Sequence, residues 1–160
     1  MKIVYFSNTT GLTDKLIHRI GAAELSVRIP IAGVPPTMDE EYILVTTSHL
    51  TQNRVIPEQV VNFLKTGDNA KLMRGVAGTG SKNFGKMFCV AVHQIARLFN
   101  VPVVFTAELF GSVPEVNQIR ETLTKNWGLQ LGEPEGIEDV SDRHEELMQF
   151  LADHHKDLIE

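Results

Sequence analysis

Five strand-like apolar runs, with helical patterns between them, limit what this chain can fold into more than any other feature of its sequence. The runs cover residues 3–6, 24–31, 42–47, 72–78 and 101–109, and apolar residues recur at helical spacing in 12–20, 57–64, 88–99 and 116–127. Neighbouring parallel strands need a crossover connection, and a helix is the compact crossover. The sequence therefore predicts an α/β fold, a doubly wound parallel sheet of five strands in the order 2-1-3-4-5.

Length and composition exclude several classes of protein. The 160 residues suffice for one domain with a sizeable core, so we expect a single domain over 1–160. No apolar stretch approaches the ~20 residues that span a bilayer. The net charge is −5, whereas proteins that bind the nucleic-acid backbone need an excess of basic residues. We therefore expect neither a membrane nor a nucleic acid as partner. The single cysteine, Cys89, is typical of a reducing compartment, which favours a cytoplasmic location.

The loops that follow strands 1, 3 and 4 are the expected place for a ligand. In doubly wound sheets, ligands bind beyond the carboxyl ends of the strands, where the strand order reverses. The three loops that meet at that point cover 7–13, 48–54 and 79–87, and they are rich in hydroxyl, amide and glycine residues. The sequence therefore predicts a binding site built from these loops.

The first of these loops, "SNTTGLT", has two interpretations that the residues alone leave open. Ser, Thr and Asn are common at the start of a capped helix. A helix N-terminus also offers unpaired N–H groups to an anion, and Asn8, Thr10 and Thr13 would add side-chain donors beside the close approach allowed by Gly11. The loop contains no Lys or Arg, which argues against a Walker-type nucleotide loop. A monophosphate held by hydroxyls and amides is the remaining anion.

Two motifs resemble a known family. Thr10-Gly11-Leu12-Thr13 resembles the Thr-Gly-x-Thr loop with which flavodoxins hold the phosphate of FMN. The tract from 74 to 96, "RGVAGTGSKNFGKMFCVAVHQIA", resembles the signature of NrdI, a flavodoxin-like family that serves class Ib ribonucleotide reductase. The ending of the fifth strand, with Glu108, Leu109 and Gly111, also matches that family.

The resemblance implies a flavodoxin-like redox activator rather than an enzyme with its own turnover. Its cofactor would be FMN, and its partners would be the small, radical-bearing subunit of class Ib ribonucleotide reductase and an unidentified flavin reductant. It would deliver electrons or a reduced-oxygen oxidant that supports assembly or maintenance of the dimanganese–tyrosyl radical cofactor in that subunit. Two alternatives stay open: a general flavodoxin-type electron carrier, and a flavin-free regulatory or interaction domain that kept the fold.

The resemblance also implies which residues bind FMN. The predicted residues are Ser7, Asn8, Thr9, Thr10, Gly11, Leu12 and Thr13 in the first loop, Ser48, His49 and Leu50 in the second, and Gly78, Thr79, Gly80, Asn83, Phe84, Gly85, Phe88 and Cys89 in the third region. No residue is predicted to be catalytic or to bind a metal. The second loop departs from the family, which has Thr-Tyr-Gly-Gly-Gly there, and His49 stands in the place of the Tyr.

Three features carry structural alternatives. Cys89 is expected to be a small buried residue rather than a reactive thiol. Phe84 and Phe88 either contact the flavin ring as part of the cavity wall or belong to the core. Residues 129–160 have no counterpart in the resemblance, and they predict an extra C-terminal helix from Ser141 that covers the domain or forms a dimer or partner surface.

Overall fold

The computed structural model describes residues 1–48, 54–136 and 148–153. Within these ranges the chain forms one five-stranded sheet in the order β2-β1-β3-β4-β5, and every pair of neighbouring strands is parallel. The strands are β1 Lys2–Tyr5, β2 Ser26–Arg28, β3 Tyr42–Thr46, β4 Met73–Gly80 and β5 Val103–Glu108. The predicted fold class and strand order are confirmed.

The helices cover both faces of this sheet. They are α1 Leu12–Arg19, α2 Glu58–Lys65, α3 Asn69–Leu72, α4 Val90–Phe99 and α5 Val113–Lys125. The apolar stripes of α1 and α5 pack on one face, where Leu16, Ile17 and Leu123 are fully buried. On the other face α2 and α4 supply Phe63, Val92 and Ile95 to a second core. The central strand β3 is buried along its whole length because helices cover it on both sides.

Local chemistry explains where the elements begin and end. Ser112 and Glu115 form a capping box at the start of α5. Pro57 is the N-cap residue of α2. The short helix α3 was not expected from the sequence, and its first residue, Asn69, is fully buried. The Asn69 side chain hydrogen-bonds the backbone of Met38 at 2.8 Å and of Pro36 and Phe63 at 2.9 Å each, so distant segments hold this turn.

The fourth strand extends further than its apolar pattern predicts. β4 continues to Gly80, so Thr79 and Gly80 belong to the strand rather than to the loop that follows. A short 3-10 helix, Lys82–Met87, then leads to α4. Ser81 caps this helix, and its hydroxyl accepts a hydrogen bond from the Asn83 N–H at 3.3 Å. The predicted third loop is therefore the end of a strand and a capped turn.

The C-terminal extension begins against the first core. Leu129 is buried there, and the following residues lie along α1. Residues 148–153 are helical, which confirms an extra C-terminal helix, whereas its predicted start at Ser141 lies outside the described residues. No helix in the described part of the chain is long and apolar enough to cross a membrane.

Candidate functional site

The loops after β1, β3, β4 and β5 enclose one cavity at the carboxyl end of the sheet. Its volume is about 260 Å³. Its wall combines hydroxyl and amide side chains with apolar ones. The polar lining residues are Asn8, Thr10, Thr13, Thr47, Ser48, Thr79 and Ser81. The remaining lining residues are the apolar Leu12, Phe84, Met87, Cys89 and Leu109, together with Gly80. The cavity lies where a doubly wound sheet binds its ligands.

The predicted site residues divide into three groups. Those that line the cavity are Asn8, Thr10, Leu12, Thr13, Ser48, Thr79, Gly80, Phe84 and Cys89. Those that lie nearby without lining it are Ser7, Thr9, Gly11, Gly78, Asn83, Gly85 and Phe88. The remaining two, His49 and Leu50, lie outside the described residues, so the interpretation of His49 as a ring contact stays a prediction.

The first loop is both a helix start and an opening for a ligand. Gly11 precedes α1 in the left-handed conformation, with φ of 72°, and no atom lies within 4 Å of the position where a Cβ would stand. The Ser7 hydroxyl accepts a hydrogen bond from the Asp14 N–H at 3.0 Å, so Ser7 caps the helix from inside the core. The first-turn N–H groups of Leu12 and Thr13 have no acceptor within the helix. Ser7 therefore supports the loop, and open space lies beside Gly11.

A hydrogen bond between Asn8 and Thr10 shapes the outer part of this loop. The Asn8 Oδ1 atom accepts from the Thr10 backbone N–H at 3.1 Å and also from the Thr10 hydroxyl. The Asn8 carbonyl oxygen accepts from the Gly11 N–H at 3.0 Å. These bonds fix the turn without using the amide protons of the Asn8 side chain.

A buried pair of hydroxyls joins the first loop to β4. Thr13 Oγ1 lies 2.8 Å from Thr79 Oγ1, and both residues are 2% exposed. In such a pair one hydroxyl donates and the other accepts, so one of the two protons stays available to a group in the cavity. The pair therefore fixes the spacing of two walls and supplies a donor between them.

Gly78 and Gly80, both in β4, differ in the space available for a side chain. A Cβ on Gly78 would stand 2.3 Å from the Thr46 carbonyl oxygen and 2.3 Å from Val92 Cγ2, so Gly78 is needed for packing inside the sheet. A Cβ on Gly80 would stand 3.2 Å from Phe88 Cδ2 and from the N and Sγ atoms of Cys89. Gly80 thus keeps the cavity wall close to the start of α4.

The turn after β4 separates the two phenylalanines. Phe84 is 56% exposed and lines the cavity, beside exposed Met87 and Leu109. Phe88 is half-buried and packs against the second core, which favours the core alternative for this residue. Gly85 has φ of 55°, which allows the turn to reverse between them. Phe84 is therefore the aromatic ring that a ligand in the cavity would meet.

The second loop and the start of α4 are connected through Ser48. Its hydroxyl accepts a hydrogen bond from the Ala91 N–H at 3.0 Å, in the first turn of α4. Cys89 precedes that helix with φ of 51° and is 1% exposed. Burial raises the pKa of the Cys89 thiol to about 11, so the group is protonated at neutral pH. The expectation of a small buried residue rather than a reactive thiol agrees with this geometry.

Sequence reasoning missed Thr47, Ser81, Met87 and Leu109 as lining residues. Leu109 is the most informative of them, because its N–H donates to the Gly80 carbonyl oxygen at 2.8 Å and its φ is 55°. The strand order provides the signal that could have found it, since β5 lies beside β4 and the residue that follows β5 must border the same cavity. No cluster of three or more His, Cys, Asp or Glu that could hold a metal occurs among the described residues.

Comparisons with known proteins show which family the sequence belongs to. The sequence model of the family described as "NrdI Flavodoxin like" matches residues 3–121. A "Protein NrdI" from Ruegeria sp. (strain TM1040) is 35% identical over 130 residues, covering 80% of this chain and 91% of that protein. Another from Pectobacterium carotovorum subsp. carotovorum (strain PC1) is 36% identical over 132 residues, covering 80% of this chain and 96% of that protein.

The fold itself is similar to that of a solved flavodoxin. The solution structure of two-electron reduced Megasphaera elsdenii flavodoxin superposes with a TM-score of 0.52 at 19% identity, covering 78% of this chain and 99% of that one. This likeness bears on the architecture alone. The family model and the relatives carry the assignment, and the chain belongs to the NrdI family of flavodoxin-like proteins.

Proposed function

We propose that this protein binds FMN without a covalent bond and serves class Ib ribonucleotide reductase as a redox activator in the cytoplasm. The observation that carries the proposal is the cavity of about 260 Å³ at the carboxyl end of the sheet, with hydroxyl donors on the α1 side and exposed apolar side chains after β4 and β5. A ligand with a phosphate at one end and a flat aromatic system at the other is complementary to such a wall.

The first loop suits a phosphate without a cationic side chain. The N–H groups at the start of α1 and the positive end of its dipole attract an anion. The hydroxyls of Thr10 and Thr13 border the cavity, and the space beside Gly11 is open. No Lys or Arg lines the described wall, so the donors are neutral dipoles held by the surrounding bonds. We assign the phosphate to Thr10, Gly11 and Thr13, with Asn8 assisting.

The opposite wall suits a flavin ring. Phe84 and Met87 offer apolar contact from the turn after β4, and Leu109 offers it from the end of β5. Thr47 and Ser48 provide polar atoms for the edge of the ring. Bound FMN would supply the electron-transfer chemistry, and the protein would orient it and limit its contact with water. His49 and Leu50 remain assigned to the ring as a prediction.

The partner is proposed from family membership and from the exposed rim. We infer that the small, radical-bearing subunit of the reductase is the partner, and that this protein passes it electrons or a reduced-oxygen oxidant for its dimanganese–tyrosyl radical cofactor. Phe84, Met87 and Leu109 are 56%, 42% and 39% exposed, which leaves apolar surface around the cavity mouth. A separate reductant, of unknown identity, would keep the flavin supplied with electrons.

Reconstitution with FMN tests cofactor binding. The protein is mixed with excess FMN, desalted, and examined by visible absorption and thermal melting. Retained flavin absorbance and a raised melting temperature are expected, since a ligand that binds only the folded state stabilises it. A colourless protein with an unchanged melt would contradict the proposal and favour the flavin-free interaction domain.

A matched pair of variants tests the phosphate assignment. Thr10 borders the cavity, whereas the neighbouring Thr9 is exposed and does not. The Thr10 hydroxyl, which donates to Asn8 Oδ1 in the free protein, is proposed to turn to the phosphate. Thr10→Val should weaken FMN binding about tenfold or more, because a hydrogen bond to a charged group is worth roughly 1.5–3 kcal/mol. Thr9→Val should leave the affinity within about twofold of the wild type. Equal affinities for the two variants would contradict the assignment.

The reductase assignment needs its own experiment. The FMN-loaded protein, the small subunit, manganese(II), a flavin reductant and oxygen are combined, and the tyrosyl radical is measured by electron paramagnetic resonance. Radical formation that requires this protein is expected. Flavin reduction without any radical would instead favour a general electron carrier.

A further inference from the structure

Arg19, near the end of α1, is a buried arginine whose charge is held by backbone carbonyl groups. The residue is 1% exposed. Its Nη2 donates to the Gly111 carbonyl oxygen at 3.0 Å, and its Nη1 donates to the Gly136 carbonyl oxygen at 3.4 Å. Its guanidinium carbon lies 5.2 Å from the centre of the Phe110 ring. Arg19 therefore touches two segments that are distant from it in the sequence.

Burial of the Arg19 charge lowers the stability of the folded protein unless polar groups compensate for the lost water. Within the described part of the chain no carboxylate pairs with Arg19, and its Nε atom is buried without a partner. Burial lowers the pKa of the guanidinium, although an arginine keeps its charge in proteins. A buried charge without an ion pair needs well-placed hydrogen bonds to be tolerated. The hydrogen bond to the Gly111 carbonyl has a normal length of 3.0 Å, whereas the contact with the Gly136 carbonyl is longer at 3.4 Å, so Gly111 is the stronger partner of the guanidinium.

One of these connections leads to the cavity. Gly111 follows Leu109 and Phe110 in the turn after β5, and Leu109 lines the cavity. The Leu109 N–H donates to the Gly80 carbonyl oxygen at 2.8 Å, and the Gly111 N–H donates to the Glu108 carbonyl oxygen at 2.9 Å. The turn 108–111 therefore lies between Arg19 on one side and the β4 wall of the cavity on the other.

The other connection leads to the C-terminal extension. The family model ends at residue 121, and segment 129–136 lies beyond it. This segment runs along α1: the Gly132 N–H donates to the Gly21 carbonyl oxygen at 2.7 Å, and the Glu135 N–H donates to the His18 carbonyl oxygen at 3.1 Å. The next residue, Gly136, provides the carbonyl that Arg19 binds.

Side chains strengthen this attachment. Arg120 Nη1 donates to the carbonyl oxygens of Ile20 at 2.7 Å and Gly132 at 2.9 Å, and the His18 Nδ1 atom lies 2.7 Å from Glu135 Oε2. Segment 129–136 is therefore hydrogen-bonded to the end of α1 and the residues that follow it. Among the hydrogen bonds described above, those of Arg19 alone connect this segment to the turn after β5.

We propose that Arg19 is a positioning residue that couples segment 129–136 to the Leu109 wall of the cavity and so sets how tightly FMN is held. This inference rests on the proposed function. Loss of the Arg19 contacts leaves the Gly111 carbonyl without its charged donor. The turn 108–111 should then loosen on the Gly111 side, while the hydrogen bonds of Glu108 with Lys82 and Glu115 still hold its other end. Segment 129–136 thus acts on the binding site through the Arg19 side chain.

Amide hydrogen exchange in FMN-free protein tests the coupling itself. Arg19→Met should speed exchange of the Leu109 and Gly111 amides about tenfold, because a hydrogen bond from a charged donor is lost. Arg120→Met, which touches neither amide, should speed exchange at Gly132 and, through Arg19, also at Gly111. Arg97→Met, an exposed arginine on α4, is the control and should change neither. Unchanged exchange at Leu109 and Gly111 in Arg19→Met would overturn the proposal.

FMN titration tests whether the coupling reaches the site. Arg19→Met should weaken FMN binding about tenfold and shift the visible absorption of the bound flavin, and Arg19→Lys should lie between, since one ammonium cannot span both carbonyls. A role confined to stability would lower the melting temperature while leaving the affinity and the spectrum unchanged, and that result would overturn the proposal. Should the wild type itself retain no FMN, the proposed function fails, and the exchange experiment still decides the coupling. Arg19→Lys carries the test if Arg19→Met does not fold.

Discussion

The buried hydroxyl pair that joins the first loop to β4 allows a sharp test of how the cavity walls are held. Thr13 Oγ1 and Thr79 Oγ1 are 2.8 Å apart, and both residues are 2% exposed. Replacing either by valine keeps the shape and the β-branch, so backbone preferences in α1 and β4 change little. The substitution removes one partner of a buried hydrogen bond and leaves the other hydroxyl unpaired.

The expected magnitudes follow from this asymmetry. A buried polar group without a partner costs about 1–3 kcal/mol, whereas replacing both partners by apolar groups of the same shape is nearly neutral. Thr13→Val and Thr79→Val should therefore each lower the free energy of unfolding by about 1–2 kcal/mol. The double variant should lose no more than about 1 kcal/mol, so the two changes are coupled by at least about 1 kcal/mol.

Urea unfolding of the FMN-free protein measures these quantities without a contribution from ligand binding. Thr124→Val, on the exposed side of α5, is the matched control and should stay within about 0.5 kcal/mol of the wild type. If the losses in the two single variants simply add in the double variant, the two hydroxyls do not form the bond described, and the reasoning is refuted.

Two further predictions concern residues beside the cavity. Gly78→Ala should lower the free energy of unfolding by about 3 kcal/mol or more, because the new Cβ would stand 2.3 Å from both the Thr46 carbonyl oxygen and Val92 Cγ2. Gly132→Ala is the control, since its Cβ would stand 3.5 Å from the Gly21 carbonyl oxygen, and it should stay within about 1 kcal/mol of the wild type in the same urea titration. Similar losses for the two variants would contradict the packing argument. At pH 8, Cys89 should react with a thiol reagent about 100-fold more slowly in the folded protein than in urea, because burial raises its pKa from 9.0 to about 11. Between pH 9 and about 11 the folded thiol keeps its proton, whereas the unfolded thiol loses it. The free energy of unfolding should therefore fall as the pH rises through this range, and Cys89→Ala should remove that part of the fall.

The fold was predictable because its signals are local and repeated. Apolar runs and helical spacing place each strand and most helices, and the parallel topology then follows from crossover geometry. The exceptions depend on distant contacts. Helix α3 begins at Asn69, which is held by the backbone of Pro36 and Met38, and no pattern near Asn69 shows those partners. The end of β4 was placed too early because Thr79 and Gly80 pair with β5 despite their loop-like composition.

The position of the cavity was predictable from the loops, but its lining was not predictable residue by residue. Strand order brings the loops together, and their small polar residues indicate a ligand. Whether such a residue faces the ligand or supports the loop depends on side-chain direction, which composition does not contain. Ser7 and Asn8 are adjacent and chemically similar, yet Ser7 is buried and caps α1, whereas Asn8 lines the cavity. Leu109 was missed for the opposite reason, since an apolar residue at a strand end looks like core.

This division between supporting and lining residues explains how a phosphate could be held here by neutral groups. A lysine attracts an anion over a distance and tolerates an imprecise position, whereas amides and hydroxyls act only at short range and must already point at the ligand. The supporting contacts fix those donors before any ligand arrives: Ser7 holds the first turn of α1, Thr79 holds Thr13, and Arg19 holds the turn after β5. Each of these groups is buried, so their rigidity does not depend on solvent. The affinity of this cavity for an anionic ligand should therefore be more sensitive to these buried supporting residues than to the charge of the surface around it.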